Sequence, residues 1–190
     1  MTPTLETARL LLRPLQLEDA EQVQLIFPQW QIVQYLNARV PWPYPPDGVR
    51  AFYRDFTLPA IERGDEWSWT LRLKTSPDQI IGNVHLLRGD ENNRGFWLAP
   101  EFHNRGLMTE AVIATNDFWF DTLGFTRLRV PKAVANFASR RISEKTGMRL
   151  VAIEPDHAFV CGNMPAEIWE LTRDEWHALR AHLPSLPSGE

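Results

Sequence analysis

Apolar and polar side chains alternate from Trp67 to Leu73, and this two-residue period strongly restricts the folds open to the chain. Such alternation places successive side chains on opposite faces of a β-strand. Two further strand-like runs follow, Ile80 to Leu87 and Gly95 to Ala99, after short polar segments. Because short connections join antiparallel neighbours, the middle of the chain is predicted to form an antiparallel sheet.

Helical patterns lie on both sides of this predicted sheet. The clearest runs from Leu107 to Leu123, where apolar residues recur at helical spacing and Gly124 provides a stop. Thr172 to Glu175 carries a capping pattern that predicts a last helix. Further strands are predicted over Leu10–Leu15, Leu128–Val134, Met148–Ile153 and Ala166–Leu171, and shorter helices after Gln16, after Val49 and over Ser139–Lys145. The order predicts a mixed α/β fold with a mostly antiparallel first half.

Composition excludes several classes of protein. The 190 residues predict one domain, residues 1–190, with Pro184 to Glu190 as a frayed tail. A formal net charge of −4 argues against a nucleic-acid partner. The single cysteine, Cys161, excludes an intrachain disulfide and argues against a metal site built on thiolates. No apolar run reaches the roughly 20 residues that span a bilayer, so we expect a cytoplasmic protein that does not bind a membrane. We also expect that it uses no metal.

The segment between the third middle strand and the long helix is suited to an anion. Gly106 lies where backbone must approach a ligand closely, and the N-terminus of the following helix offers free N–H groups. Arg105 adds a cation with several donors. The segment matches neither the dinucleotide fingerprint nor the Walker loop. From the residues alone, an ordinary strand-to-helix connection with a surface arginine remains an alternative.

Trp97 to Ala111 resembles the pyrophosphate-binding signature of the GNAT superfamily of acyl-CoA-dependent N-acetyltransferases. His103 stands at the Gln/Arg position of that signature, Gly106 matches its glycine, and Met108 replaces the final Gly or Ala. Further segments resemble the branch of this superfamily that acetylates the N-termini of ribosomal proteins, the Rim-type branch. They are Thr7–Pro14, Trp42–Pro45, Ile80–Val84, Asn136–Met148 and Trp169–Trp176.

The resemblance implies a GNAT-like fold, a mostly antiparallel splayed sheet flanked by helices, with acetyl-CoA as co-substrate. The pantetheine arm would lie along the fourth strand of the family, and the diphosphate would rest on the turn and helix that follow. The residues predicted to bind the cofactor are Phe96, Trp97, Leu98, Ala99, His103, Asn104, Arg105, Gly106, Leu107, Met108, Thr109, Asn136 and Ser139.

The resemblance also implies direct attack of an amine on the thioester in a ternary complex, with no protein nucleophile. Ser139 is the candidate donor to the leaving thiolate, and capping of the short helix is its alternative role. The tyrosine that many relatives carry four residues later is replaced by Ser143. The glutamate often found on the fourth strand also has no match here.

His85 is the candidate general base, because an unperturbed imidazole titrates near pH 6.5. The alternative is a histidine that is packed or hydrogen-bonded in the sheet. Asp90, Glu91 and a water relay are further possibilities. Glu110 lies in the first turn of the long helix and is expected to interact favourably with the helix dipole rather than to act as base.

Trp42 and Tyr44 are predicted to contact the acceptor, since a stiff proline loop holds them, although aromatic side chains also build cores. We therefore expect an N-acetyltransferase acting on a protein N-terminus or a small amine. The alternative is a degenerate member of the family that binds acyl-CoA as a sensor or interaction module. The sequence leaves open whether the protein is a monomer or a homodimer.

Overall fold

Two antiparallel sheets form the centre of the computed structural model, which describes residues 1–181; the predicted tail, Pro184 to Glu190, lies outside the described residues. The first sheet has its five strands in chain order: β1 (Leu5–Glu6), β2 (Leu10–Pro14), β3 (Glu66–Leu73), β4 (Gly82–Leu87) and β5 (Arg94–Leu98). The second has the order β6-β8-β7, formed by β6 (Arg127–Ala133), β7 (Arg149–Phe159) and β8 (Gly162–Thr172). The predicted antiparallel arrangement is confirmed.

Seven α-helices among the described residues flank the sheets. They are α1 (Ala20–Ile26), α2 (Trp30–Val33), α3 (Gly48–Phe52), α4 (Leu58–Arg63), α5 (Leu107–Asp117), α6 (Phe137–Lys145) and α7 (Arg173–Arg180). A π-helical turn, Tyr53–Thr57, joins α3 to α4, and a second, Phe118–Thr122, extends α5. The helix predicted after Val49 thus continues past Pro59, which lies in the first turn of α4 where its missing N–H is tolerated. No helix within residues 1–181 is long and apolar enough to cross a membrane.

The alternation in β3 divides the first sheet into two unlike faces. Trp67, Trp69 and Leu71 are buried on one face, and the ring of Trp69 meets that of Phe118 edge to face with centroids 5.4 Å apart. The opposite face carries polar groups, among them Glu66, which α3 and the π-turn cover. The sheet therefore packs its apolar side against α5 and keeps its polar side for a site.

The two sheets meet at one point and then diverge. The Asn93 N–H donates to the Arg129 carbonyl, and the Arg129 N–H donates to Asn93 Oδ1, each at 2.8 Å. Even-numbered residues of β6 bond to β8, as the Val134 N–H does to the Pro165 carbonyl, so the odd-numbered residues face β5. The next odd-numbered residue after Arg129 is Pro131, which has no N–H to donate. Within the described residues no further backbone hydrogen bond joins β5 to β6, so the two strands diverge beyond this point and we infer a groove between them.

Candidate functional site

The turn between β5 and α5 presents a row of free backbone donors at the edge of the groove. Asn104 (φ 58°) and Gly106 (φ 75°) adopt left-handed backbone conformations that turn the chain sharply into the helix. Among residues 1–181, the N–H groups of residues 104–109 donate no hydrogen bond. These donors, at the positive end of an eleven-residue helix, suit an anionic group.

Contacts from the segment between β1 and β2 hold this turn in place. The Arg9 guanidinium donates to the Arg105 carbonyl at 2.9 Å and to Glu110 Oε2 at 2.7 Å, while the Arg9 N–H and the Thr7 hydroxyl donate to Glu110 Oε1. Burial opposes ionisation of Glu110, but these hydrogen bonds outweigh it and lower the pKa of the carboxyl. Glu110 is thus occupied in fixing the turn. The Arg105 guanidinium lies over the Phe102 ring at 5.4 Å.

Backbone groups of β5 line one wall of the groove. The Leu87 N–H donates to the Asn93 carbonyl and the Ala99 N–H to the Ile81 carbonyl, so odd-numbered residues of β5 bond to β4. Phe96 and Leu98 therefore direct their backbone groups into the groove. The Leu98 carbonyl already has a partner, because His103 Nε2 lies 2.8 Å from it. The His103 ring thus fixes the end of the strand.

A cavity of about 480 Å³ opens on the polar face of the first sheet, next to the same strand. Its walls are mainly apolar, with polar groups from β3 and β4 at its floor. Four predicted site residues, Phe96, Trp97, His85 and Tyr44, line it together. The other lining residues are Leu15, Val23, Phe27, Leu36, Asn37, Arg39, Val40, Pro41, Val49, Phe52, Tyr53, Thr57, Glu66, Ser68, Asn83, Leu87, Asn92 and Gly95.

Glu66 is the carboxylate of this cavity. It begins β3 opposite Leu87, and among residues 1–181 its side chain has no hydrogen-bond or ion-pair partner. Burial disfavours the charged form and raises the pKa of Glu66 to about 7. The nearby Tyr53 is buried, and its pKa is raised as well, so its hydroxyl remains neutral. A carboxyl that titrates near neutrality in a cavity is well matched to moving a proton.

The structure places His85 on β4, between Ser68 and Gly95 of the neighbouring strands. Its Nδ1 lies 3.4 Å from Asn83 Oδ1, and its ring lies so close to Gly95 that a Cβ there would meet Nε2 at 2.4 Å. Burial lowers the pKa of His85 to about 4. The imidazole is therefore neutral at physiological pH.

The aromatic residues of the proline loop lie in different surroundings. The Tyr44 ring packs edge to face on Phe27, with centroids 5.1 Å apart, and lines the cavity. Trp42 is 43% exposed and packs on Trp30, with centroids 5.4 Å apart, outside the set of cavity-lining residues. The acceptor contact predicted for Trp42 therefore stays a prediction without support from this cavity.

Helix α6 brings Ser139 next to β6, on the side of the groove. Asn136 is the N-cap of α6, with its Oδ1 accepting from the Ser139 N–H at 3.1 Å, so the cap is supplied by Asn136 and not by Ser139. Lys132 on β6 donates its Nζ to Ser139 Oγ at 2.8 Å, and Nζ also lies 5.5 Å from the Phe96 ring. Phe96 in turn lines the cavity, so it connects the cavity to Lys132 and Ser139.

Sequence reasoning missed Glu66 and Lys132. Glu66 precedes the alternating run and looks like a surface residue at the start of a strand, whereas Lys132 follows Pro131 in a segment without a motif. The sequence feature that could have identified Lys132 is its spacing of two residues from Val130 and four from Leu128. Both are buried on the same face of β6, so the same spacing predicts a buried lysine. The alternatives to His85, Asp90 and Glu91, are exposed and face Arg127 and Arg129 at the surface. Within the described residues, no cluster of three His, Cys, Asp or Glu side chains could hold a metal ion.

Comparisons with known proteins identify the family of this chain. The family model described as "Acetyltransferase (GNAT) domain" matches residues 9–149. A protein of Bacillus subtilis (strain 168) named "Putative ribosomal N-acetyltransferase YdaF" is 28% identical over 102 residues, which are 51% of this chain and 56% of that relative. The match thus spans little more than half the length of that relative. "Probable N-acetyltransferase YjcK" of the same organism is 26% identical over 165 residues, 83% of this chain and 87% of its own length.

Solved structures share the fold at low identity. Mycobacterium smegmatis RimJ in complex with CoA-disulfide has a TM-score of 0.79 at 15% identity, covering 96% of this chain and 97% of that chain. The ribosomal-protein-S5-alanine acetyltransferase of Vibrio fischeri has a TM-score of 0.77 at 17% identity, covering 92% and 98%. Since the family model spans well over half of its residues, the chain belongs to the GNAT family of acetyltransferases.

Proposed function

We propose that this protein transfers the acetyl group of acetyl-CoA to a primary amine by direct attack in a ternary complex. One observation carries the proposal: β5 separates a groove, which ends in free backbone donors, from a cavity with a carboxyl that titrates near neutrality. A thioester at the border of the two would be open to a cofactor arm from one side and an amine from the other. The strand thus provides the proximity that the reaction needs.

The free donors at residues 104–109 support binding of the CoA diphosphate, with Arg105 as an additional cation. The backbone groups of Phe96 and the Leu98 N–H, which face away from β4, support pairing of the pantetheine arm with β5, as an added strand would pair with it. The side-chain N–H groups of Asn136 are available to the pantetheine arm, because only Oδ1 of this side chain is used in capping α6.

Proton removal from the amine falls to Glu66 in this proposal. An amine that attacks the thioester must lose a proton, and a base is most effective when its pKa lies near the working pH. Glu66, with a pKa of about 7, meets this condition better than His85, with a pKa of about 4. His85 then acts through hydrogen bonding at the cavity wall. Ser139 remains the proposed donor to the leaving thiolate.

The acceptor is a primary amine whose neighbouring group is apolar, either at a protein N-terminus or in a small molecule. The mainly apolar walls of the cavity support this class, and the carboxylate of Glu66 favours a cationic amine before it is deprotonated. The names of YdaF and of the Vibrio fischeri acetyltransferase refer to the ribosome or a ribosomal protein, which favours a protein N-terminus as the acceptor.

The test is release of free thiol from acetyl-CoA in the presence of N-terminal peptides and small amines. We expect turnover with acceptors whose first side chain is apolar and slower turnover with acidic ones. Tight CoA binding without turnover on any acceptor would overturn the proposal and favour a binding module. Equal binding of dephosphorylated pantetheine and CoA would contradict the placement of the diphosphate.

A further inference from the structure

Lys132 is a buried lysine at a position that the sheet otherwise fills with apolar residues. It continues the row of Leu128 and Val130 on the inner face of β6, and it is 6% exposed. Burying a charge in such a row costs stability unless it is fully paired. A lysine at this point therefore calls for a role beyond packing.

The groups that face Lys132 from the surrounding elements do not neutralise it. Arg94 on β5 is a second buried cation, and it bonds to Asn116 Oδ1 at 2.6 Å while its Nε has no partner within the described chain. Glu167 on β8 lies opposite Lys132 in the register, but it also accepts from Arg140 of α6 at 3.1 Å and from Trp169 Nε1 at 2.9 Å. Burial and the charge of Arg94 lower the pKa of Lys132, against the influence of Glu167.

Lys132 is the donor in its hydrogen bond with Ser139. Lys132 Nζ donates to Ser139 Oγ at 2.8 Å, and the ammonium form of the side chain has no lone pair with which to accept. The hydroxyl proton of Ser139 must then point elsewhere, and within residues 1–181 the hydroxyl donates no hydrogen bond. Lys132 thus leaves Ser139 with one unused donor.

We propose that Lys132 is a positioning residue that orients the Ser139 hydroxyl toward the sulfur of the thioester and replaces the proton that Ser139 gives up. This inference rests on the proposed acetyl transfer. When the C–S bond breaks, its electron pair stays on sulfur, the Ser139 hydroxyl proton moves to sulfur, and a proton of Lys132 moves to Ser139 Oγ. Lys132 leaves the step as a neutral amine and regains a proton from solvent after CoA departs.

A double-mutant cycle tests the coupling. We expect Lys132→Met and Ser139→Ala each to lower kcat by roughly tenfold or more, with the Kd of CoA little changed. The double variant should be no slower than Ser139→Ala alone, because Lys132 acts through that hydroxyl. Losses that multiply, or an unchanged kcat in Lys132→Met, would overturn the inference. Lys145→Met is the matched control, since Lys145 is exposed on α6.

A measurement without acceptor separates this inference from the proposed function. The ultraviolet absorbance of the thiolate reports the pKa of the bound CoA thiol, which we expect to rise by about one unit in Lys132→Met. An unchanged thiol pKa contradicts the role of Lys132 even if the enzyme transfers acetyl groups. Failure of the wild type to bind CoA would instead overturn the proposed function, and the inference with it.

Replacement of the lysine by methionine removes a buried charge, so the variant is expected to fold with an equal or higher Tm. Lys132→Gln gives the same comparison with a polar side chain if the methionine variant does not fold.

Discussion

Asn93 and Arg129 join the two sheets through a reciprocal pair of hydrogen bonds. The Asn93 N–H donates to the Arg129 carbonyl, and the Arg129 N–H donates to the side-chain Oδ1 of Asn93. The Asn93 Nδ2 also donates to the carbonyls of Leu87 and Gly89, at 3.2 and 2.7 Å. One buried amide thus ties the end of β4 and its turn to the start of β6. This point sets where β5 and β6 begin to diverge.

Replacing Asn93 should therefore weaken both the fold and the groove. Asn93→Ala leaves a buried N–H and two carbonyls without partners, so we expect the free energy of unfolding to fall by about 2 kcal/mol or more. The Kd of CoA should rise, because the angle between the sheets is no longer fixed. Urea titration and calorimetry give the two quantities. Asn92→Ala, at an exposed neighbour, is the control for stability and should change the unfolding free energy little.

Glu66 should determine the pH dependence of the reaction. The base must be ionised, so kcat at saturating substrates should rise with pH through about 7. Glu66→Gln should remove this rise and lower kcat by roughly a hundredfold. His85→Gln should keep the rise, because the pKa of His85, about 4, lies below the range. A rise that persists in Glu66→Gln and vanishes in His85→Gln would return the role of base to His85.

Glu66 should also make the free energy of unfolding depend on pH in the absence of substrate. The folded pKa of Glu66 lies above the ordinary value of 4.5, so its protonated form is favoured in the folded state. The contribution of Glu66 to the stability of the folded state is fully present below pH 4.5 and is lost as pH rises through about 7. Glu66→Gln should gain about 1–3 kcal/mol relative to the wild type between pH 5 and pH 8. Equal pH dependence of unfolding in both proteins would show that Glu66 is not desolvated.

Arg105 should contribute to affinity for the CoA diphosphate. Its guanidinium has no ion-pair partner within residues 1–181 and stands at the start of α5. Arg105→Ala should weaken CoA binding by about threefold to tenfold and reduce the salt dependence of Kd. Binding of dephosphorylated pantetheine should not change. Arg63→Ala removes an exposed arginine on α4 and is the charge-matched control. An equal loss for both variants would reflect net charge alone.

Glu110 should stabilise the protein rather than take part in catalysis. Its pKa is lowered in the folded state, so its contribution is complete above the ordinary value of 4.5 and is lost as pH falls through the lowered pKa. Glu110→Gln should lose about 1–2 kcal/mol of unfolding free energy at pH 7, and the difference from the wild type should disappear in acid. Glu101→Gln, at an exposed carboxylate of the same turn, should behave like the wild type. A strongly reduced kcat in a stable Glu110→Gln would contradict the assignment.

Local patterns were sufficient to predict most of the elements. The alternation of Trp67 to Leu73 and the capping pair Thr172 and Glu175 appear in the structure as predicted, because each depends on neighbours in sequence. The two-residue strand β1 and the four-residue helix α2 were not predicted. Elements so short carry no periodic signal, and tertiary contacts decide them.

The site was predicted in part. The turn of residues 103–109 could be predicted because its glycine and helix start are contiguous in the chain. The properties of Glu66 could not, since they arise only when α3 and the π-turn close over the polar face of β3. The pair of Lys132 and Ser139 likewise depends on the turn between β6 and α6, which brings together two side chains seven residues apart.

Pro131 has a consequence for the kinetics of binding. With a donor at that position, β6 could extend its ladder to β5, and a ligand would have to compete with the protein's own backbone for the space. The proline leaves the opening formed in advance, so an incoming chain meets preorganised walls and does not first have to separate two strands. Association is then limited by encounter and orientation, and the free energy of the new contacts slows dissociation of the ligand.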